Sequence, residues 1–145
     1  MDEALRLNPS EPIIRAYHAL ALWTFGEPEA ALAELSIARR LSPNDSNVWF
    51  VLHAEAMILS MSDRFEESII AAEKAIDERA GATLGHMGLI FSLDALGRSE
   101  NAKSAFQRAT KAVPGFSPPL IIMGVPDEGL RENILDACRR AGWDG

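Results

Sequence analysis

The sequence predicts an all-α chain, a solenoid of about three antiparallel helix pairs closed by a C-terminal capping helix. Three observations predict it. A unit of 34 residues recurs: Ala4, Leu7 and Pro9 return as Ala38, Leu41 and Pro43, and after a slightly longer interval as Ala109, Ala112 and Pro114. Gly26 stands five residues ahead of Ala31, as Gly97 stands ahead of Ala102. Between these marks the apolar residues recur at helical spacing, with short connections and no strand-like segment. Self-similarity at this period belongs to chains in which each helix pair buries its apolar face against its neighbours.

The first predicted helix, 12–25, opens on Pro12, where a missing N–H costs nothing, and closes at Gly26, which tolerates a left-handed helix end. Pro28 opens the second, whose Ala31, Leu32, Leu35, Ala38 and Leu41 form one apolar stripe that Pro43 ends. With Asp45 as its expected N-cap, the third carries Val48, Trp49, Leu52, Ala56 and Leu59; the fourth carries Phe65, Ile69, Ala72, Ala75 and Ile76. A third pair covers Thr83–Leu96 and Ser99–Ala112, with Gly97 between them. Gly85 and Gly88 each weaken their helix by about 1 kcal/mol relative to Ala, so that helix depends on packing. Leu120–Val125 is an apolar stretch, and Pro126-Asp127 introduces a last helix with Leu130, Ile134, Leu135 and Cys138 on one face, the pattern of a cap.

These spacings resemble the tetratricopeptide repeat family. In a first repeat, 12–45, the matching positions are Ala19, Gly26, Ala31, Ala38 and Pro43, with Leu35 in an aromatic's place and Arg15 in that of the usual Trp. In a second, 46–82, Trp49, Leu52 and Ala75 match, three extra residues are expected around Ser60–Asp63, where the pair should protrude, and Ala80 replaces the closing Pro. A third, 83–116, matches at Leu89, Gly97, Ala102, Phe106, Ala109 and Pro114. His53 and Ile90 stand where the family uses a small residue, so spread helix pairs are expected there. The resemblance implies a single right-handed superhelical domain, in which residues 1–11 are the remnant of a preceding repeat's second helix and 117–145 are linker and cap. The closing Leu130-Arg131-Glu132 and Ala137-Cys138-Arg139-Arg140-Ala141-Gly142-Trp143 resemble the tail after such repeats in bacterial class III adenylate/guanylate cyclases and winged-helix transcriptional regulators.

Composition narrows the function. The 145-residue chain is 48% hydrophobic with a formal net charge of -7. Few clustered Lys and Arg argue against nucleic acid, whose affinity comes mainly from cationic contacts to phosphate. One cysteine excludes an internal disulfide, and neither a leader nor a membrane-spanning run is present, so the chain reads as cytoplasmic, with no membrane insertion. Asn44-Asp45-Ser46 would be a glycosylation site only in a secreted protein. His18, His53 and His86 recur near the repeat spacing but at different points within their repeats, and no ligand set converges with them, so no metal site and no cofactor are expected. Cys138, on an apolar face, reads as buried structure rather than a nucleophile. The chain is expected not to be an enzyme.

What remains is a surface. The resemblance implies that the first helix of each pair lines the inner curve, which nominates Ile13, Ala16, Tyr17 and Leu20, then Asn47, Phe50, Val51, Ala54 and Met57, then Leu84, Met87 and Phe91 as a partner-binding groove. Ala16, Leu20, Val51 and Gly88 replace the basic residues with which chaperone-binding relatives grip a carboxylate. An apolar patch this long needs a cover. Three occupants are open: a helix or peptide of a partner protein, the chain's own Leu120–Val125, or a second copy in a homo-oligomer. The expected function is a non-catalytic protein-protein interaction module of a larger bacterial signalling or regulatory protein. The alternative is a homo-oligomerisation or regulatory segment of a nucleotidyl cyclase or transcriptional regulator.

Overall fold

The computed structural model describes residues 11–145, and among them the chain is all-α, with no strand. The segment read as the remnant of an earlier helix lies outside the described residues, apart from Glu11. Eight helices follow in order: α1 Glu11–Thr24, α2 Pro28–Leu41, α3 Val48–Ser60, α4 Phe65–Glu78, α5 Thr83–Ala95, α6 Ser99–Ala112, the single turn α7 Pro118–Ile121, and α8 Glu128–Arg140.

One turn design joins the members of each pair. Glu27 N–H donates to Leu22 O (2.9 Å), Arg64 N–H to Leu59 O (3.0 Å) and Arg98 N–H to Leu93 O (2.9 Å). The residue just before each donor has positive φ: Gly26 at 82°, Asp63 at 60° and Gly97 at 75°. This closure satisfies helix-end carbonyls and needs the left-handed conformation. The second turn is therefore built like the other two, with Asp63 in the glycine's place, and does not contain the extra residues expected at Ser60–Asp63. Two of them fall in the α2–α3 connection, which runs from 42 to 47 where α4–α5 runs only from 79 to 82, and the third at the start of α3, which begins eleven residues before Leu59 where α5 begins ten before Leu93. A connecting loop absorbs added length without rotating the helices that follow it.

Helices in sequence pack in sequence. α1 touches α2 and α3; α3 also touches α2, α4 and α5; α5 also touches α4, α6, α7 and α8. The backbones of α1 and α5, of α2 and α4, and of α4 and α6 do not come together. Alternate helices α1, α3 and α5 thus form one row, flanked by α2, α4 and α6, whose backbones stay apart and of which α4 and α6 are joined by side-chain ion pairs. α3 is enclosed on several sides, and Val51–Ser60 are all buried in consequence. Leu35, Val51, Ala54 and Ile58 pack with Ala16 and Ala19 at one end; a larger cluster includes Met87, Ile90, Ile122, Ile134 and Cys138.

His53 does not spread its pair. α3 and α4 share the most extensive contact of any two helices, and the buried Ser68 Oγ donates to Ala56 O at 2.7 Å. Asp45 is not the N-cap of α3: its carboxylate accepts from Asn47 N–H (2.7 Å), and the helix begins at Val48. α8, introduced by Pro126-Asp127 as expected, is N-capped by Asp127, whose Oδ1 accepts from Leu130 N–H (2.9 Å). Arg140 clasps Asp94 through both carboxylate oxygens (2.9 and 2.7 Å), tying α8 to the end of α5.

Candidate docking surface

The row of α1, α3 and α5 presents an open apolar depression of about 190 Å³. Leu20, Trp23 and Thr24 of α1 form one wall, Met57 and Met61 the next, Leu84 of α5 a third, and Ile121, Gly124 and Val125 the far side. Local sequence explains each contribution. Leu20 and Trp23 lie three apart on α1 and share a face. The segment after α7 is fixed by Ile122 and Val125, 2% and 3% exposed, and by Arg131, whose guanidinium donates to Val125 O. Leu120 and Met123 of the same segment remain exposed, at 68% and 72%. No charged side chain lines the depression.

Only part of the nominated groove is brought together here. Leu20, Met57 and Leu84 line the depression, and Ile13 is half-buried outside it. Ala16, Val51, Ala54 and Met87 are fully buried and offer no surface: they face neighbouring helices, and Met87 Sδ receives the Cys138 thiol at 3.7 Å. Phe91 packs edge-on against Phe65 (6.2 Å between ring centres). Asn47 lies at the start of α3. Tyr17 and Phe50 stand in an aromatic cluster, with ring centres 5.1 Å apart and His53 4.6 Å from Phe50. Trp49 closes the cluster 5.2 Å from His53, and the Arg79 guanidinium lies over the indole at 4.6 Å.

Trp23, Thr24, Met61 and Gly124 were not nominated, although Trp23 continues the stripe of Leu20. The apolar stretch near Leu120–Val125 takes a position at the edge of the depression, covering α5 around Met87 and leaving the α1–α3 side open.

Electrostatics around this surface are those of packed structure. Both ring nitrogens of His53 are buried without a hydrogen-bond partner, and burial lowers its pKa to about 4. His86 Nε2 meets Ala80 O at 2.7 Å, and burial lowers its pKa, though that bond opposes the shift. His18 Nδ1 lies 3.6 Å from Glu34. Burial, assisted by the Asp94 carboxylate, pushes the Cys138 thiol up to about 12. Among the described residues no group of three or more His, Cys, Asp or Glu is placed to hold a metal, and no helix is long and apolar enough to cross a membrane.

No protein-family model matches the chain, and comparison with curated proteins yields no match.

Proposed function

We propose that this chain is a non-catalytic docking module: a tetratricopeptide-like solenoid whose inner surface receives an apolar helix or peptide of a partner protein. The depression shared by α1, α3 and α5 carries this proposal, because three successive hairpins each contribute apolar side chains to one surface without a charge among them. Sequential packing and the recurring turn support the solenoid form. Met61, half-buried at the edge, suits such a surface, since thioether side chains adapt to varied apolar shapes, while Met57, 3% exposed, forms its floor. The partner's apolar residues would insert beside Leu20 and Trp23, with Leu120 and Met123 extending the contact.

A photo-crosslinking residue at exposed Thr24 tests this in the source cell. One discrete heterologous adduct is expected, and Leu84→Asp, which places a charge across the depression, should abolish it. Absence of an adduct, or the same adduct in the Leu84→Asp protein, overturns the proposal. Light scattering over a concentration series separates the second reading: an adduct of twice the chain's mass together with concentration-dependent dimerisation assigns the surface to a second copy.

A further inference from the structure

The face away from the depression carries two clefts that are structural equivalents of each other, and among the described residues only one of them has every lining charge in an ion pair. The first lies between α2 and α4 over α3, the second between α4 and α6 over α5. Turn and helix-start hydrogen bonds fix the correspondence: Ala31 N–H to Glu27 O becomes Ser68 N–H to Arg64 O, then Ala102 N–H to Arg98 O. The molecule thus holds its own control.

In the second cleft a carboxylate bridges the walls. Arg108 of α6 donates to Glu73 of α4 at 3.0 Å, and Leu89 lies on the floor. In the first cleft the position of Arg108 is taken by Lys74, but that of Glu73 by Ser36, so the bridging acid is missing. Lys74 makes no ion pair or hydrogen bond within the described residues. The floor has changed as well: Glu55 replaces Leu89, and Arg39 enters from α2 at the position of Ile76. Arg39 Nη2 lies 3.2 Å from Glu55 Oε2, while its Nε is buried without an acceptor. Arg64 is already satisfied, donating twice to Glu67 at 2.7 Å. An ammonium with no acceptor among the described residues, and the half-exposed end of the Arg39 guanidinium beyond its buried Nε, therefore face a cleft of about 350 Å³.

We propose that the α2–α4 cleft binds a carboxylate, seated between Lys74 and Arg39 where Glu73 bridges its counterpart. A charge-assisted hydrogen bond to each cation supplies the affinity. Glu55 and Glu67 in the same cleft disfavour a dianion, so a monocarboxylate fits better than a phosphate. Leu32, Leu52 and Leu59 provide an apolar bed for the methylene stem that carries the group. The site is independent of the inner depression and stands or falls separately from it.

Backbone-amide NMR titration of the whole chain tests this with two probes, acetate and N-acetylglutamate amide, each against sodium chloride at equal ionic strength. Saturable shifts at Ser36, Arg39 and Lys74, with none at Ser104 or Arg108 in the second cleft, are expected. Ser36→Glu supplies the bridging acid from within and should abolish them. Lys74→Gln, at an exposed position, should weaken binding about tenfold and carries the test if the first variant fails to fold. Tighter binding of N-acetylglutamate amide than of acetate assigns the site to an acidic side chain of a peptide; equal affinity assigns it to free small carboxylates. Shifts that do not saturate, that chloride reproduces, or that persist in the variants overturn the proposal.

Discussion

Gly88 of α5 lies directly against the backbone of Ala56 in α3: a Cβ at that position would stand 2.9 Å from the Ala56 carbonyl oxygen and 3.0 Å from its carbon. The two helices approach this closely because the side chain is missing. Gly85, one turn earlier, has room instead, and its Cβ would meet Ala75, Ala82 and His53 at 3.5 Å or more.

Two glycines with the same helix propensity should therefore respond oppositely to one substitution. Gly85→Ala is expected to stabilise by up to about 1 kcal/mol through the unfolded chain's lost freedom. Gly88→Ala gains the same term but forces the α3 and α5 backbones apart, a cost of about 1–3 kcal/mol, and should be net destabilising. Urea unfolding midpoints of both variants check this, and equal shifts would remove the close approach from the account.

The three hairpin turns predict a second contrast. Gly97, at φ 75°, resists a side chain, so Gly97→Ala should cost about 1 kcal/mol. Asp63 holds the same conformation at φ 60° and already bears that strain, so Asp63→Gly should be neutral or stabilising by a few tenths of a kcal/mol. Thermal unfolding of the two proteins decides it; destabilisation by Asp63→Gly would mean that the carboxylate holds the turn by some other contact.

Acid should weaken the fold through His53. Its folded pKa of about 4 lies below the ordinary 6.5, so between these values the unfolded chain takes up a proton that the folded one refuses. The His53 contribution is unperturbed above pH 6.5 and declines as pH falls to 4, by at most about 3 kcal/mol. His86 acts in the same direction, while Glu55, whose pKa burial raises, acts in the opposite one. The slope of unfolding free energy between pH 7 and 4.5 should flatten in His53→Leu; an unchanged slope would place the titration elsewhere.

Cys138 should be inert while the chain is folded. With its thiol pushed up to about 12 and its side chain fully buried, almost no thiolate exists or is reachable at neutral pH. Alkylation at pH 8 is expected to proceed only at the rate at which α8 opens, and to accelerate with urea in step with unfolding. Rapid native-state labelling would contradict the packing of α8 on α5.

Sequence by itself determined the elements that local chemistry specifies. Proline starts, left-handed glycine ends and apolar stripes mark α1, α2, α5 and α6, because each signal acts within a few residues of the chain. Asp63 escaped for the same reason: an aspartate at positive φ carries no distinctive pattern, so a turn equivalent to those at Gly26 and Gly97 looked like an insertion. Tertiary structure alone decided which apolar side chains are surface. α3 and α5 carry apolar residues on every side, so periodicity does not separate Ala54 and Met87, buried by their neighbours, from Leu84, half-buried at the depression. Nor does it show that Ser36 stands across from Lys74 without offering it an acid, since the two lie 38 residues apart in sequence and share a cleft only once α2 and α4 lie on either side of α3. Contacts of that range are set by packing, to which no local pattern in the chain corresponds.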